Sequence, residues 1–240
     1  MSDAPLLLAT QVSKIYTTGT IRVPALRNLD LRVDAGEMVG VMGASGSGKT
    51  TLLNCLSGLD DIDGGRVEIG GRDLFAMPDG ERTMHRARTM GFVFQAFNLI
   101  PVFSAVENVE LPLLLGGVPA RQARPRAIEM LDRVGLSHRV EHLPAQLSGG
   151  EQQRVTIARA LVAQPKIVWA DEPTGNLDSA MAESVMDLLC QLNADARQTI
   201  VLVTHDAAIG ARVPRLIRMR DGMLVEDVRQ RTPTNLVPAG

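Results

Sequence analysis

The chain of 240 residues is 45% hydrophobic and 22% charged, an ordinary globular balance, and it is long enough for one large domain or for one domain with an insert. Its net charge of −2 offers no field that would attract nucleic acid, so no nucleic-acid partner is predicted. Its 2 cysteines indicate no disulfide framework and favour a reducing compartment.

The first residues, MSDAPLLLAT, predict neither a secretory leader nor a membrane span, because they lack a basic start and a long apolar core. The apolar run ELPLLLGGV at residues 110–118 is also too short to cross a bilayer, and it contains Pro112. Any membrane-spanning part is therefore expected to belong to another chain.

Three segments near the start predict strands of a small antiparallel layer. One strand opens at residues 6–8, and another covers residues 66–71, which are bounded by glycines. Residues 27–34 alternate between polar and apolar side chains, so the apolar side chains share one face. Such alternation is typical of a strand with one face in solvent.

A glycine-rich loop lies between a predicted strand and a predicted helix. The apolar run EMVGVM (residues 37–42) precedes GASGSGKT (residues 43–50), and TLLNCLSGL follows at residues 51–59. A loop of this kind wraps a phosphate chain with its backbone N–H groups, and the helix start adds the positive end of its dipole. Lys49 would then reach the β- and γ-phosphates, and the Thr50 hydroxyl would hold Mg²⁺.

The alternative is a glycine-rich turn with a chance lysine. The flanking strand and helix argue against it, and lysine occurs only at Lys14, Lys49 and Lys166. We therefore predict a bound nucleoside triphosphate, held by the loop residues Gly43, Ala44, Ser45, Gly46, Ser47, Gly48, Lys49, Thr50 and Thr51.

Four continuous apolar runs predict buried strands of a parallel sheet, because most of them are flanked by helical patterns. They cover residues 38–42, 91–94, 167–170 and 199–203. The region from about residue 96 to residue 146 contains no convincing strand and shows helical periodicity that ends at Gly135. The pattern predicts an α/β fold with a mainly parallel sheet, an antiparallel β layer and an inserted α-helical subdomain.

The whole chain, 1–240, is predicted to be a single domain. Its core covers residues 1–95 and 152–228 and includes the antiparallel layer. The helical subdomain covers residues 96–151. Residues 229–240 are polar and contain proline, so they are predicted to form a flexible tail.

The run KIVWADE at residues 166–172 places two adjacent carboxylates at the end of a buried strand. Ligands bind at this end of open α/β sheets. Asp171 would hold Mg²⁺ directly or through water, and Glu172 would act as general base on the attacking water. A strand that runs into an acidic turn is the alternative, but the glycine loop favours the functional interpretation.

The segment LSGGEQQR at residues 147–154 precedes an amphipathic run through Leu161. Ser148 and Glu151 form a capping box, so a well-capped helix is one interpretation. Two glycines in the first turn cost a helix roughly 1 kcal/mol each relative to alanine, but they let an anion approach bare N–H groups. A second chain arranged head to tail would pair each glycine loop with the other chain's glycine helix.

These motifs, in this order, resemble those of the nucleotide-binding subunit of ATP-binding cassette (ABC) transporters, and the match covers nearly the whole chain. The resemblance implies a P-loop NTPase core of the RecA-like type, with ATP and Mg²⁺ as ligands and ATP hydrolysis as the activity. In that family LSGGE contacts the γ-phosphate of ATP held by the partner subunit. Here that role falls to Ser148, Gly149, Gly150 and Glu151.

Three further residues take roles only through the resemblance. Gln95 in FVFQ matches the family's hinge glutamine, which reaches towards Mg²⁺ and the attacking water; alone it reads as a polar strand end. His205 in VLVTHD matches the switch histidine, which touches the γ-phosphate and orients Glu172. Asp178 in GNLD matches the acid of a loop that crosses the dimer interface, although alone it would simply precede a helix beginning at Ser179.

The base end of the site is predicted from one aromatic residue. Tyr16 is the only tyrosine in a chain that is 3% aromatic, and it matches the family's adenine-stacking aromatic. An ordinary edge-strand tyrosine is the alternative. Val23 is a further candidate for packing on the base or the sugar.

Four segments are similar to the group that serves lipoprotein release, macrolide export, antimicrobial-peptide resistance and bacterial cell division: GFVFQAFNLIP, SAVENVELPLLL, QLSGGEQQRVTIARAL and ADEPTGNLD. The resemblance implies an ATP-sandwich homodimer at the cytoplasmic face of the inner (plasma) membrane. It also implies an integral membrane permease subunit with a large extracytoplasmic domain, driven by a mechanical stroke.

Two alternatives stay open at this point: a cell-division regulator whose partner moves no cargo, and a soluble cassette ATPase without a transport role. The insert shows no sustained heptads, which such soluble proteins often carry. In the family, a groove near the insert takes a short helix of the membrane subunit. Phe97, Leu99 and Ile100 are the residues predicted to line it.

Overall fold

The computed structural model describes residues 4–230, which form two β-sheets and seven α-helices. The first sheet is antiparallel and has the strand order β2-β1-β4-β5. Its strands are β1 Leu7–Thr18, β2 Ile21–Val33, β4 Gly64–Ile69 and β5 Arg72–Asp73. No helix within these described residues combines the length and the apolar character needed to cross a membrane.

The second sheet has the strand order β10-β9-β3-β8-β7-β6. Its strands run parallel from β9 to β6, and β10 pairs with β9 in the antiparallel direction. They are β3 Met38–Met42, β6 Met90–Phe94, β7 Ile167–Asp171, β8 Thr199–Thr204, β9 Arg215–Arg220 and β10 Met223–Arg229. The carboxyl ends of β3, β6, β7 and β8 therefore meet at one edge, where open α/β sheets bind ligands.

The helices are α1 Lys49–Ser57, α2 Asp79–Thr89, α3 Ala105–Leu115, α4 Ala120–Arg133, α5 Gly149–Leu161, α6 Ser179–Ala196 and α7 Ala207–Gly210. One apolar cluster fills the space between the two sheets and includes the α1 leucines. A second cluster joins helices α3 to α6 to the opposite face of the larger sheet. Each fully buried leucine contributes about 1.5–3 kcal/mol to this packing.

The predicted parallel strands are confirmed, and three of them extend by one residue, at Met90, Asp171 and Thr204. Strands β1 and β2 are much longer than predicted, whereas β4 has the predicted length of 6 residues and begins two residues earlier, at Gly64. In β1 and β2 the alternation is interrupted by register shifts, and Gln11 and Asn28 have φ angles of 51° and 44°. A bulge of this kind moves the apolar residues to the other face, which hides a long strand from a period-two pattern.

The hairpin of β9 and β10 was not predicted, and it includes the first residue of the segment predicted as a tail. Strand β10 reaches Arg229, and the Gln230 side chain donates hydrogen bonds to the carbonyls of Gly210 and Val213 at 2.9 and 3.1 Å. The segment predicted as a tail thus begins with a strand residue, Arg229, and with Gln230, which is hydrogen-bonded to the end of α7 and to the loop before β9. Residues 231–240 lie outside the described residues, and the division of the chain into core, insert and tail stays a prediction.

Candidate functional site

A cavity of about 760 Å³ opens at the carboxyl edge of the parallel sheet. It gathers residues from distant parts of the chain that belong to separate predicted motifs. The predicted residues that line it are Tyr16, Val23, Ser45, Gly46, Gly48, Lys49, Thr50, Thr51, Gln95, Glu172 and His205. One cavity therefore joins the glycine loop, the general-base candidate and the tyrosine.

The glycine loop has the close-packed backbone that a phosphate cradle needs. A Cβ on Gly43 would lie 2.3 Å from the carbonyl oxygen of Met219, and a Cβ on Gly48, at φ 101°, would lie 2.6 Å from that of Ala25. Only glycine fits at either position. The buried Ser47 hydroxyl has no hydrogen-bond partner among the described residues, and Ser47 itself does not line the cavity.

Lys49 lies near the end of this loop and begins helix α1. Its ammonium donates hydrogen bonds to the carbonyls of Gly43 and Ala44, at 2.8 and 3.0 Å, and the residue is only 7% exposed. A cation in this position, beside the positive end of a helix, can neutralise phosphate charge.

Thr50 and Asp171 form the oxygen pair predicted to hold a metal. The Thr50 hydroxyl donates a hydrogen bond of 3.3 Å to Oδ1 of Asp171. Burial, together with the neighbouring carboxylate of Glu172, raises the pKa of Asp171, although Thr50 and Lys49 act in the opposite direction. A carboxyl group in such surroundings is stabilised in its charged form by a divalent cation.

Glu172 and His205 meet at the same edge. Nδ1 of His205 lies 2.8 Å from Oε1 of Glu172. Glu172 follows strand β7 in the left-handed region, at φ 47°, and its N–H donates to the carbonyl of Val203 at 2.9 Å. This backbone conformation costs of order 1–3 kcal/mol in a non-glycine residue, and such strain is commonly stored where a side chain must be aimed.

Gln95 reaches the cavity from the end of β6. It is hydrogen-bonded to Asn176, a residue that was not predicted to belong to the site. Its side-chain amide donates to Oδ1 of Asn176 at 3.1 Å, and the Asn176 amide donates back to the Gln95 carbonyl at 2.9 Å. A Cβ on Gly175 would lie 2.8 Å from the Gln95 amide nitrogen. Residues 175 and 176 therefore fix the position of this glutamine, which no local sequence signal reveals.

The turn between β9 and β10 closes the cavity on the side of the loop, with Asp221 and Gly222 in its lining. The Gly222 N–H donates to the Ser47 carbonyl at 3.0 Å, and its own carbonyl accepts from Arg27 at 2.9 Å. Asp-Gly between alternating apolar residues is a strong hairpin signal, so this element could have been found from the sequence. The other lining residues that were missed are Pro24, Ala25 and Arg27.

The LSGGE turn (residues 147–151) and Asp178 do not line this cavity. Ser148, Gly150 and Glu151 line a separate cavity of about 220 Å³ that also borders α6. Asp178 caps α6 through a 2.9 Å hydrogen bond from the Met181 N–H. A single chain thus carries its loop and its LSGGE turn at two different places.

The LSGGE turn is held by partners within its own chain. The Ser148 N–H donates to Oε2 of Glu151 at 2.8 Å, the Glu151 N–H donates to Oγ of Ser148 at 3.2 Å, and Arg139 donates to Oε1 of Glu151 at 2.9 Å. These bonds, led by the one from the Ser148 backbone, lower the pKa of Glu151. The predicted capping box is confirmed.

The two glycines of the turn also have a packing role. A Cβ on Gly149 would lie 3.3 Å from the Leu177 side chain, and one on Gly150 would lie 3.2 Å from that of Met181. Their small size therefore serves the contacts with Leu177 and with α6 as well as the exposure of N–H groups.

A third concave surface, which we call the α2–α5 groove, has a volume of about 390 Å³. Its lining is mostly apolar and includes Leu59, Met90, Phe92, Phe94, Pro112 and Ala163, with Arg86 and Arg159 at its sides. None of the three residues predicted to line a groove, Phe97, Leu99 and Ile100, belongs to it. Leu99 packs on the apolar cluster of the helical insert instead.

Comparison with known proteins points to one family. The ABC transporter family model matches residues 26–175. The lipoprotein-releasing system ATP-binding protein LolD of Xanthomonas campestris is 47% identical over 223 residues, which is 93% of this chain and 93% of that protein. The macrolide export ATP-binding/permease protein MacB of Brucella melitensis is 45% identical over 231 residues, which is 96% of this chain but 36% of that protein.

A solved structure has the same fold. It is a dimeric ATP-binding cassette in a post-hydrolysis state, bound to ADP and Pi. The similarity has a TM-score of 0.86 at 42% sequence identity, and it covers 94% of this chain and 99% of that one.

Proposed function

This chain belongs to the ABC transporter family and is its ATP-binding and ATP-hydrolysing subunit, and we propose that two copies of it close around two Mg·ATP at a common interface. The observation that carries the proposal is the separation of the two phosphate-facing surfaces. The loop lies in one cavity and the LSGGE turn in another. A symmetric pair places each turn over the loop of the other copy.

We propose that the loop amides, Ser47 and Lys49 hold the triphosphate and that Thr50 and Asp171 hold Mg²⁺. The site fits this ion because its donors are hard oxygens. Within residues 4–230 no cluster of three or more His, Cys, Asp or Glu side chains could bind a metal by itself, so phosphate oxygens would complete the coordination. When bound, Mg²⁺ supplies neutralisation of charge on the phosphate oxygens.

In the proposed reaction Glu172 accepts a proton from the water that attacks the γ-phosphorus, while ADP leaves with the electrons of the broken P–O bond. His205 holds the Glu172 carboxylate through the 2.8 Å contact. Gln95 orients the water from the end of the neighbouring strand β6. Tyr16 and Val23 provide the surface on which the base stacks.

The proposed contacts across the pair differ in character. Ser148 and the N–H groups of Gly149 and Gly150 would face the partner's γ-phosphate, because they lie at a helix start. The carboxylate of Glu151 is occupied by Ser148 and Arg139, so its proposed contribution is to hold this turn in shape. Asp178 would lie in the loop that crosses the interface.

We propose that the pair drives an integral membrane permease with a large extracytoplasmic domain, from the cytoplasmic face of the inner membrane. The support is the similarity to proteins named for lipoprotein release and for macrolide export. Lipoprotein release or export of macrolides or peptides is the proposed task, carried out by mechanical transmission.

The α2–α5 groove is the proposed docking site of the membrane subunit, and its chemistry suits a short helix with an apolar face and an acidic residue. Arg86 donates to the Gly58 carbonyl and to Thr83, and Arg159 donates to the carbonyls of Phe97 and Asn98. Neither guanidinium pairs with a carboxylate within residues 4–230. A carboxylate on the partner helix would give both charges an opposite neighbour.

Leu59→Asp should abolish co-purification with the membrane subunit and leave the ATPase activity of the isolated chain within about twofold. Leu59 lines the groove and is 45% exposed, so a charge there disturbs docking more than folding. Ile128→Asp is the matched control, because Ile128 is 40% exposed on α4, outside the groove. Equal recovery of the membrane subunit with both variants would contradict this docking site.

A further inference from the structure

The Tyr16 ring is held from outside the nucleotide cavity. Tyr16 lines the cavity and is 40% exposed, yet its hydroxyl donates a 2.7 Å hydrogen bond to Oδ2 of Asp60. The ring is therefore available to a ligand, while its far end is fixed to the protein.

The Asp60 carboxylate accepts hydrogen bonds from three donors, which belong to Tyr16, Lys14 and Asp61. Its Oδ1 accepts from the ammonium of Lys14 and from the Asp61 N–H, both at 2.8 Å. Burial alone would raise the pKa of Asp60, but the hydrogen bonds from Lys14 and Tyr16 and the charge of Lys14 lower it. The carboxylate is thus held charged beside the tyrosine.

Lys14 connects Asp60 to the ring itself. Its ammonium lies 5.1 Å from the centroid of the Tyr16 ring and also donates to the Asp61 carbonyl at 2.7 Å. Lys14 does not line the cavity, so its contact with the ring leaves the cavity side free. A cation at this distance from an aromatic face adds attraction that further restricts the ring.

The same segment is tied to the phosphate-binding helix. The N–H groups of Leu59 and Asp60 donate to the Asn54 carbonyl of α1 at 2.8 and 3.1 Å. Helix α1 begins with Lys49, the last residue but one of the glycine loop. The ring and the loop are therefore attached to one helix of nine residues.

We propose that Asp60 is a positioning residue for nucleotide binding, which holds the Tyr16 ring in the orientation that stacks on the base. This inference rests on the proposed stacking of the base on Tyr16. A ring already held in one rotamer loses less conformational freedom when the base binds. The attachment of Asp60 to α1 makes one rigid unit bind both ends of the nucleotide.

Two ligands separate the base contact from the phosphate contact. ATP uses both ends of the site, whereas inorganic tripolyphosphate uses only the loop. Asp60→Ala in the full-length chain should weaken binding of Mg·ATP by roughly 3- to 10-fold and leave binding of magnesium tripolyphosphate unchanged, as a partial loss of base stacking predicts. Tyr16→Ala should weaken ATP binding by roughly 10- to 100-fold, and it should also leave the binding of magnesium tripolyphosphate unchanged.

Asp61→Ala is the matched control, because its carboxylate lies in the same segment but pairs with Arg82 at 2.8 Å. It should leave the affinities for both ligands unchanged, and Asp60→Asn, which keeps an acceptor for the phenol, should recover part of the ATP affinity. If Tyr16→Ala leaves ATP binding unchanged, the proposed base stacking itself is wrong. If Tyr16→Ala weakens it but Asp60→Ala does not, or if Asp60→Ala weakens both ligands equally, the positioning role is wrong.

Discussion

Glu172→Gln should lower ATP turnover by roughly two to four orders of magnitude and leave ATP binding intact, as expected for loss of a general base. The amide has the shape of the carboxylate but cannot take the proton of the attacking water. The Oε1 position beside His205, at 2.8 Å, stays filled in the variant, so the pocket keeps its form. The measurement is phosphate release at saturating Mg·ATP, with ATP affinity determined separately.

Glu183→Gln is the control for this substitution. It makes the same chemical change away from the cavity, at an exposed residue of α6. Its turnover should equal that of the unaltered chain. Turnover of Glu172→Gln within tenfold of the unaltered chain would show that another group activates the water.

Lys49→Ala should weaken ATP binding by roughly 10- to 100-fold, the loss expected when charged hydrogen bonds to phosphate are removed. Lys49 is 7% exposed and its ammonium lies within the loop, on the carbonyls of Gly43 and Ala44. Lys49 is the single basic residue of the glycine loop (residues 43–50), so no neighbouring loop side chain can replace its charge. Equilibrium binding of ATP and a thermal unfolding curve give the two required readouts.

The exposed Lys166, which precedes β7, offers the comparison. Lys166→Ala removes the same side chain outside the cavity and should bind ATP as the unaltered chain does. An unchanged ATP affinity in Lys49→Ala, with the variant folded, would overturn the assignment of the loop.

The parts of the fold that were predicted from the sequence are those with local signals. Continuous apolar runs located four of the five parallel strands to within a residue at each end, because both faces of such strands are buried. The length of the β1–β2 hairpin was underestimated, because residues such as Gln11 interrupt the alternation of polar and apolar side chains. The β9–β10 hairpin was overlooked although Asp221 and Gly222 gave the signal for its turn.

The residues of the candidate site also divide into those with a local sequence signal and those without one. The loop and the carboxylates after β7 are contiguous motifs, so they could be recognised before their positions were known. The pairing of Gln95 with Asn176 joins residues 81 apart, and that of Tyr16 with Asp60 joins residues 44 apart. Such contacts depend on how the sheets pack, and no spacing in the chain encodes them.

The mass of the Glu172→Gln chain in solution, measured by light scattering, tests whether two copies share the nucleotide. We expect the mass of one chain without nucleotide and twice that mass with Mg·ATP. Adding Ser148→Asp should keep the chain at the mass of one copy while it still binds ATP, because aspartate retains the helix cap but opposes the partner's triphosphate. Ser148→Asn, a neutral cap of the same size, should still allow pairing. Pairing that is equally strong with Ser148→Asp, or an ATP-bound Glu172→Gln chain that stays single at every concentration, would contradict the shared site.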